Sequence, residues 1–479
     1  MRIRLYIIFM VMVFLIPLTF YPSLVNAETI IETGDIDEYV TNYLKRNGLP
    51  GASIVIVKDG KLVYEKGYGH DSEGKPLTEN SLMRIASVSK SFTAFSVLQL
   101  VDVGKINLDD SIVKHLTELT MDDSRLEEVT IRHLLSHTSG IPNPVIVPKA
   151  DTLKERIGSL HDWKLQRNPG EEFAYSNANY WILARLVEVI SGMEFPDYLD
   201  EKIFSPLGMN DTLSTDNSTD PVQGLTQGYV TAYGSAFPWS ELEQMFSGSG
   251  GIITTASDIG KWLSMHTNEG ENRYGEKLLS KSLLEESYSP QPGSEKYGFG
   301  WYLSSPHIKP SRISHSGSLT TAQSQQDIVP SSGYAVAVML NSFTTTIQHA
   351  YEISSGIIQL TEGQIPEIKA SRPQIIDLSL GFITLIYLIL GIKGIIRSKK
   401  WSNRYRHYPT WRYCLRLMPQ IISVFIIGWL FLIVPNLQGN SSTMKDVFGI
   451  WPAAMIFLIV VFLIGVIVTV MRVLSRNEK

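Results

Sequence analysis

At 479 residues the chain has room for two or three domains, and 44% hydrophobic residues suffice for a large core. The formal charge of −5 is unevenly spread: residues 393–479 hold +10 and residues 1–392 hold −15. An acidic body with a basic, apolar tail argues against nucleic-acid binding and points to a membrane protein. The one cysteine, Cys414, leaves no disulfide framework, cysteine-based metal site or exported cysteine nucleophile.

In chain order, Arg2 and Arg4 precede an apolar run from Leu5 to Ile16, then Pro17 and a close on Val25-Asn26-Ala27. That layout predicts a secretory signal peptide over 1–27, with an uncleaved N-terminal anchor as the alternative. Either one exports the domain behind it. Residues 28–365 run on without a low-complexity linker. "ASIVIVKDGKLVYEKGYG" (52–69) reads as a β-hairpin around Asp59-Gly60.

A serine three before a lysine occurs at Ser72–Lys75, Ser87–Lys90, Ser111–Lys114 and Ser442–Lys445. Only Ser87 opens a long helical pattern, with Phe92, Phe95, Val97, Leu98, Leu100 and Val101 ending near Gly104. On a helix, positions i and i+3 share a face, so a neutral Lys90 would be placed to take the Ser87 proton. That needs a site that lowers the lysine pKa through burial or a nearby cation. The competing reading is a helix-capping Ser87 and a solvated Lys90.

Helical patterns dominate to about residue 290. Within them, His133 and His137 stand at zinc-ligand spacing but lack the Glu of an H-E-x-x-H motif, so no metal is expected. "PGEEFAYSNANYWILARLVEVISG" (169–192) places Tyr175-Ser176-Asn177 before a second apolar helix. Tyr175 suits a proton relay, and the Asn177 amide suits a substrate carbonyl or Lys90. An aromatic core residue beside an Asn cap is the alternative. Strand signals return in "YGFGWYL" (297–303), "RISHSG" (312–317), "AQSQQDIV" (322–329) and "YAVAVMLN" (334–341), before a helix over about 345–361. Within the second of these, His315-Ser316-Gly317 is the one place where a histidine stands two before a glycine. Gly317 would let a substrate backbone come close, while His315 also fits an ordinary strand histidine. Strands at both ends with helices between predict an α/β (α+β) domain, an antiparallel sheet flanked by helices with an inserted all-helical subdomain.

After a linker over 366–374, membrane spans are expected at 375–396, 417–434 and 450–471. The loop 397–416 is rich in Arg and Lys and 435–449 is nearly neutral. The positive-inside rule puts the first of these loops and the tail 472–479 in the cytoplasm, with 435–449 and the large domain outside. Asp377, the one acidic residue inside these spans, is expected at their outer edge, and no proton pathway is suggested.

Ser-x-x-Lys, Tyr-x-Asn and His-x-Gly, in this order, resemble the serine β-lactamase and penicillin-binding superfamily. The branch with class C β-lactamases, D-alanyl-D-alanine carboxypeptidases, esterases and D-peptidases is most similar. "LLSHTSGIP" (134–142), "PLGMNDT" (206–212), "SGSGGIITTASDIGKW" (247–262) and "YGFGW" (297–301) read like it. The resemblance implies a cofactor-free hydrolase that forms an acyl-enzyme on Ser87, with Lys90 and Tyr175 handling protons. It implies substrate contacts from Asn177, His315 and Gly317, and an oxyanion hole from the backbone N–H groups of Ser87 and Ser318. His315 departs from the Lys-Thr-Gly form of the lactamases and, with an ordinary pKa near 6.5, would be largely neutral at pH 7. A peptidase, amidase or esterase is therefore expected ahead of a dedicated β-lactamase. The implied substrate is a small peptide or ester, foremost a peptide containing D-amino acids. Alternatives are a peptidase that removes an acyl-D-amino-acid leader from an antibiotic precursor, a β-lactamase, and a receptor that is acylated without turnover.

Overall fold

The computed structural model describes residues 33–143, 150–244, 247–368, 371–437 and 448–477. The expected signal peptide and residues 438–447 of the neutral loop lie outside these residues. The strands are β1 (Gly51–Lys58), β2 (Lys61–Gly69), β3 (Met83–Arg84), β4 (Leu213–Ser214), β5 (Gly228–Ala232), β6 (Ser235–Trp239), β7 (Ile252–Thr254), β8 (Tyr302–Leu303), β9 (Ile313–Ser318), β10 (Gln323–Val329), β11 (Tyr334–Leu340) and β12 (Ser342–Phe343). The helices that matter here are α1 (Thr33–Asn47), α2 (Ser89–Asp102), α3 (Asn177–Ser191), α4 (Ala256–Thr267), α5 (His349–Thr361), α6 (Arg372–Ile396), α7 (Thr410–Leu437) and α8 (Pro452–Asn477).

The main sheet is antiparallel and runs β2-β1-β11-β10-β9-β8. The expected Asp59-Gly60 turn joins β1 to β2, with both residues in the left-handed region at φ 47° and 74°. β1 and β11 are apolar along nearly their whole length because both faces of the sheet are covered. Strand alternation sorts their side chains into two cores. Ile54, Ile56, Val336 and Val338 meet Val40 of α1 and Ile353 and Ile357 of α5. Val55, Val57, Ala337 and Met339 face the other way, toward Phe92 and Phe95 of α2 and Trp262 of α4. The helical subdomain lies on that second side, so the fold class is as expected.

Three details differ from the expectation. A hairpin, β5–β6, stands inside the stretch expected to be helical, paired through β5 to β12. Its signal was short: "GYVTA" and "SAFPW" around Tyr233-Gly234. "YGFGWYL" yields only the two-residue β8, because Tyr297 makes a single bridge to Tyr302 instead of a continuous ladder. The basic segment 397–416 is mostly helical, with a short helix at Ser398–Tyr405 and the first turns of α7. A run of Arg and Lys is no obstacle to helix formation.

Among the described residues three helices are long and apolar enough to cross a membrane: Arg372–Ile396, Thr410–Ile433 and Pro452–Arg476. They form a multi-pass anchor behind the N-terminal globular domain. Pro373, expected in the linker, sits in the first turn of α6, where a missing N–H costs nothing. Ser371 caps that turn by accepting from the Gln374 N–H at 3.4 Å.

Candidate active site

Ser87 lies in a 3-10 turn, Ala86–Val88, that leads directly into α2. It makes no side-chain capping bond, so the capping reading does not hold. Lys90, one turn on, is fully buried, so it is not a solvated side chain either. Its Nζ stands 3.2 Å from Ser87 Oγ and donates to the Ser249 carbonyl at 2.7 Å. The rings of Tyr175 and Tyr180 lie 5.0 and 5.6 Å from Nζ at their centroids. Burial holds the amine well below the ordinary lysine pKa, and no neighbouring cation is needed.

Tyr175 enters from the segment before α3. Burial raises its phenol, the nearby Ser87 hydroxyl acting weakly the other way, so Tyr175 is a neutral O–H at physiological pH. Asn177 opens α3 and is held by its backbone N–H, which donates to Asn143 Oδ1 at 2.9 Å.

His315 is buried on β9. Its Nδ1 lies 2.8 Å from the Ser316 carbonyl, which can only accept, so the ring proton sits on Nδ1. Nε2 then accepts from the Tyr297 hydroxyl at 3.1 Å. Burial, with the Lys90 amine nearby, pushes the imidazole down to about 3. His315 is thus neutral across the physiological range. Its ring centroid is 6.5 Å from that of Tyr175.

Gly317 also has a close neighbour within the protein itself. A Cβ there would lie 2.3 Å from the Ile85 carbonyl and 3.0 Å from Ala86 Cβ. The glycine admits the turn that carries Ser87. That turn is strained: Ala86 has φ 50°, where a side chain costs roughly 1–2 kcal/mol. It is pinned by Ser324 Oγ, which donates to the Ile85 carbonyl at 2.6 Å. Ser318 ends β9, and its hydroxyl accepts from Gln348 Nε2 at 2.6 Å.

The structure thus gathers Ser87, Lys90, Tyr175 and His315 in one region, with Gly317 behind the Ser87 turn. Sequence reasoning missed Ser249, whose contribution is a backbone carbonyl and leaves no side-chain signature. It also gave no role to Tyr297 and weighed His137 only for its zinc-ligand spacing to His133. His137 Nδ1 accepts from the Ser176 N–H at 3.3 Å and lies 3.0 Å from Asn179 Nδ2, which places its proton on Nε2. Its ring lies 4.4 Å from that of Tyr175, so it forms part of the wall behind the tyrosine. Among the described residues no group of three or more His, Cys, Asp or Glu could hold a metal ion.

Residues 36–353 match the family model described as Beta-lactamase. "Protein flp" of Staphylococcus aureus is 28% identical over 325 residues, which cover 64% of this chain and 62% of that protein. The match thus spans less than two thirds of that relative's length. "Penicillin-binding protein 4" of Amycolatopsis lactamdurans is 27% identical over 354 residues, 69% of this chain and 91% of the relative. Among solved structures, the octameric penicillin-binding protein homologue from Pyrococcus abyssi superposes with a TM-score of 0.58 at 27% identity, covering 70% of this chain and 78% of that one. The D-amino acid amidase from Ochrobactrum anthropi, at 24% identity and a TM-score of 0.58, covers 70% of this chain and 99% of its own and shares the fold.

Proposed function

The chain belongs to the beta-lactamase family, and from that premise we propose that it is a membrane-anchored serine hydrolase that cleaves amide or ester bonds through an acyl-enzyme on Ser87. The observation that carries this reading is the buried Lys90 amine, 3.2 Å from Ser87 Oγ with its pKa lowered by burial. A neutral amine at that distance accepts the Ser87 proton as Oγ attacks the carbonyl carbon. The tetrahedral oxyanion is received by the N–H groups of Ser87 and Ser318, and the N-terminus of α2 favours its charge. Tyr175 passes the proton to the leaving amine or alkoxide when the carbonyl re-forms. Water then repeats the sequence on the acyl-enzyme and frees Ser87.

For the substrate we favour peptides containing D-amino acids, which rests on the family resemblance. In this reading Asn177 and β9 would hold such a peptide. With His315 neutral, this position offers no fixed cation for a terminal carboxylate. That favours an amidase, endopeptidase or esterase over a dedicated carboxypeptidase or β-lactamase. The three-helix anchor favours a second reading, removal of an acyl-D-amino-acid leader from a peptide precursor. The charge of segment 397–416 supports a catalytic domain outside the cell.

The test is labelling of the full-length protein with a fluorescent fluorophosphonate, followed by turnover assays. Wild type should be labelled on Ser87, and Ser87→Ala should give no signal. Labelling of the alanine variant would sink the mechanism. D-Ala-D-Ala peptides, acyl-D-Asn peptides, a chromogenic cephalosporin and short esters then separate the substrate readings. Stoichiometric acylation without release from any of them would mark a receptor.

A further inference from the structure

Among the described residues, two of the contacts that the membrane helices make with the catalytic domain lead to the end of β9. At the first, the tip of the β5–β6 hairpin rests on α6 and α8. The Asp377 carboxylate, buried in α6, accepts the Tyr233 backbone N–H at 3.2 Å and the Trp451 indole N–H at 2.9 Å. The Tyr233 hydroxyl donates to the Ala453 carbonyl at 3.4 Å, and Tyr233 is a non-glycine residue held at φ 53°. Trp239 of β6 stacks on Phe448, with centroids 5.6 Å apart. The root of the same hairpin grips the turn after β9. Glu241 accepts from the N–H groups of Thr320 and Thr321 at 2.9 and 3.0 Å and from Thr321 Oγ1 at 2.7 Å. At Gly228 a Cβ would lie 2.3 Å from the Thr321 carbonyl, so the two backbones touch.

At the second place, Thr345 Oγ1 donates to the Ile450 carbonyl. Thr345 lies in the segment between β12 and α5, which Gln323 Nε2 ties to β10 through the Thr344 and Ile347 carbonyls at 3.3 and 2.8 Å. Gln348, at the end of that segment, donates to Ser318 Oγ. Ser318 is therefore bracketed by two connections, each ending on the extracytoplasmic edge of the helix bundle.

We propose that the β5–β6 hairpin is a strut by which the membrane bundle holds the end of β9 in position, with Glu241 and Asp377 as its two fixing points. The inference rests on the assignment of the Ser318 N–H as an oxyanion donor. The pull of Asp377 on Tyr233 is transmitted along two paired strands to Glu241, which fixes the turn two residues beyond Ser318. Loosening either end lets that N–H drift, and a donor displaced from the oxyanion is worth roughly 10²–10³ in rate when lost entirely. Glu241 and Asp377 are positioning residues, since neither touches the reacting atoms.

The full-length protein, in bilayer nanodiscs, is titrated with a fluorophosphonate to separate its noncovalent affinity KI from the bonding rate kinact. Glu241→Gln and Asp377→Asn should each lower kinact tenfold or more, with KI within twofold of wild type. Because both act on one strut, the double variant should lose no more than the worse single variant, where independent sites would multiply. Should Asp377→Asn not fold, Trp451→Phe removes one of the two donors to the same carboxylate and should lower kinact in the same direction. Wild-type kinact in folded Asp377 or Trp451 variants, or multiplying losses, would overturn the strut. An unlabelled wild type would instead overturn the serine-hydrolase reading on which it rests.

Discussion

A lysine amine enclosed by the rings of Tyr175 and Tyr180 and the Ser249 carbonyl has little water to stabilise its cation. Its pKa in the folded protein is therefore below the value near 10.4 of an unfolded chain. Two consequences have opposite signs. The proposed mechanism needs the neutral amine, so kcat/KM should rise with pH through the lowered Lys90 pKa. Between the two pKa values the unfolded chain binds a proton that the folded one does not, so Lys90 costs stability there and the cost shrinks as pH rises. Lys90→Met should thus abolish fluorophosphonate labelling while leaving Tm at neutral pH unchanged or higher, which differential scanning fluorimetry would read. A marked fall in Tm would mean that the amine is held as a cation. His315, pushed down to about 3, should add no inflection near pH 6.5 to the rate profile. His315→Gln should preserve the shape of that profile even where the rate drops.

At the scale of elements, the site depends on how closely β9 backs the Ser87 turn. Gly317→Ala puts a methyl 2.3 Å from the Ile85 carbonyl, so either β9 or the turn must move. Overpacking of this kind costs about 1–3 kcal/mol, and Ser87 moves with the turn. The expected result is a Tm lowered by several degrees and labelling slowed more than a hundredfold. Equal labelling would mean that the turn absorbs the methyl elsewhere. The same elements show what a sequence reveals. Ser87, Lys90, Tyr175 and His315 were legible because each is a side chain at a fixed spacing within its own segment. The long strands β1 and β11 were legible because covered faces make continuous apolar runs. Ser249 acts through its carbonyl, and any residue type offers one. The β5–β6 hairpin is two five-residue strands packed among helices, and its partners, Asp377 and Trp451, lie far along the chain. At Gly317 the need for a tight approach was legible, but not that the Ile85 carbonyl makes one, because such an approach looks alike in sequence whether substrate or the protein's own backbone fills it.

For the molecule as a whole, the proposed orientation of the anchor makes a prediction about which side each end occupies. Cys414 is exposed near the start of α7, within the Arg- and Lys-rich segment proposed to lie in the cytoplasm. A membrane-impermeant maleimide added to intact cells should leave it unlabelled, and permeabilised cells should label it. Labelling without permeabilisation would invert the topology. The pairing of β1 with β11 has a consequence in time as well as in space. Ala52 pairs with the nearby Tyr68 on one edge but with the distant Leu340 on the other, and Gly317 backs a turn that was made more than two hundred residues earlier. As the chain is made, β1 waits with one edge bare until nearly the whole domain has emerged, and pairings so distant in the chain form late. Until then Lys90 remains hydrated and charged, and Ser87 is an ordinary alcohol. On the proposed mechanism, the chain is therefore born inert, and its chemistry switches on when the sheet closes.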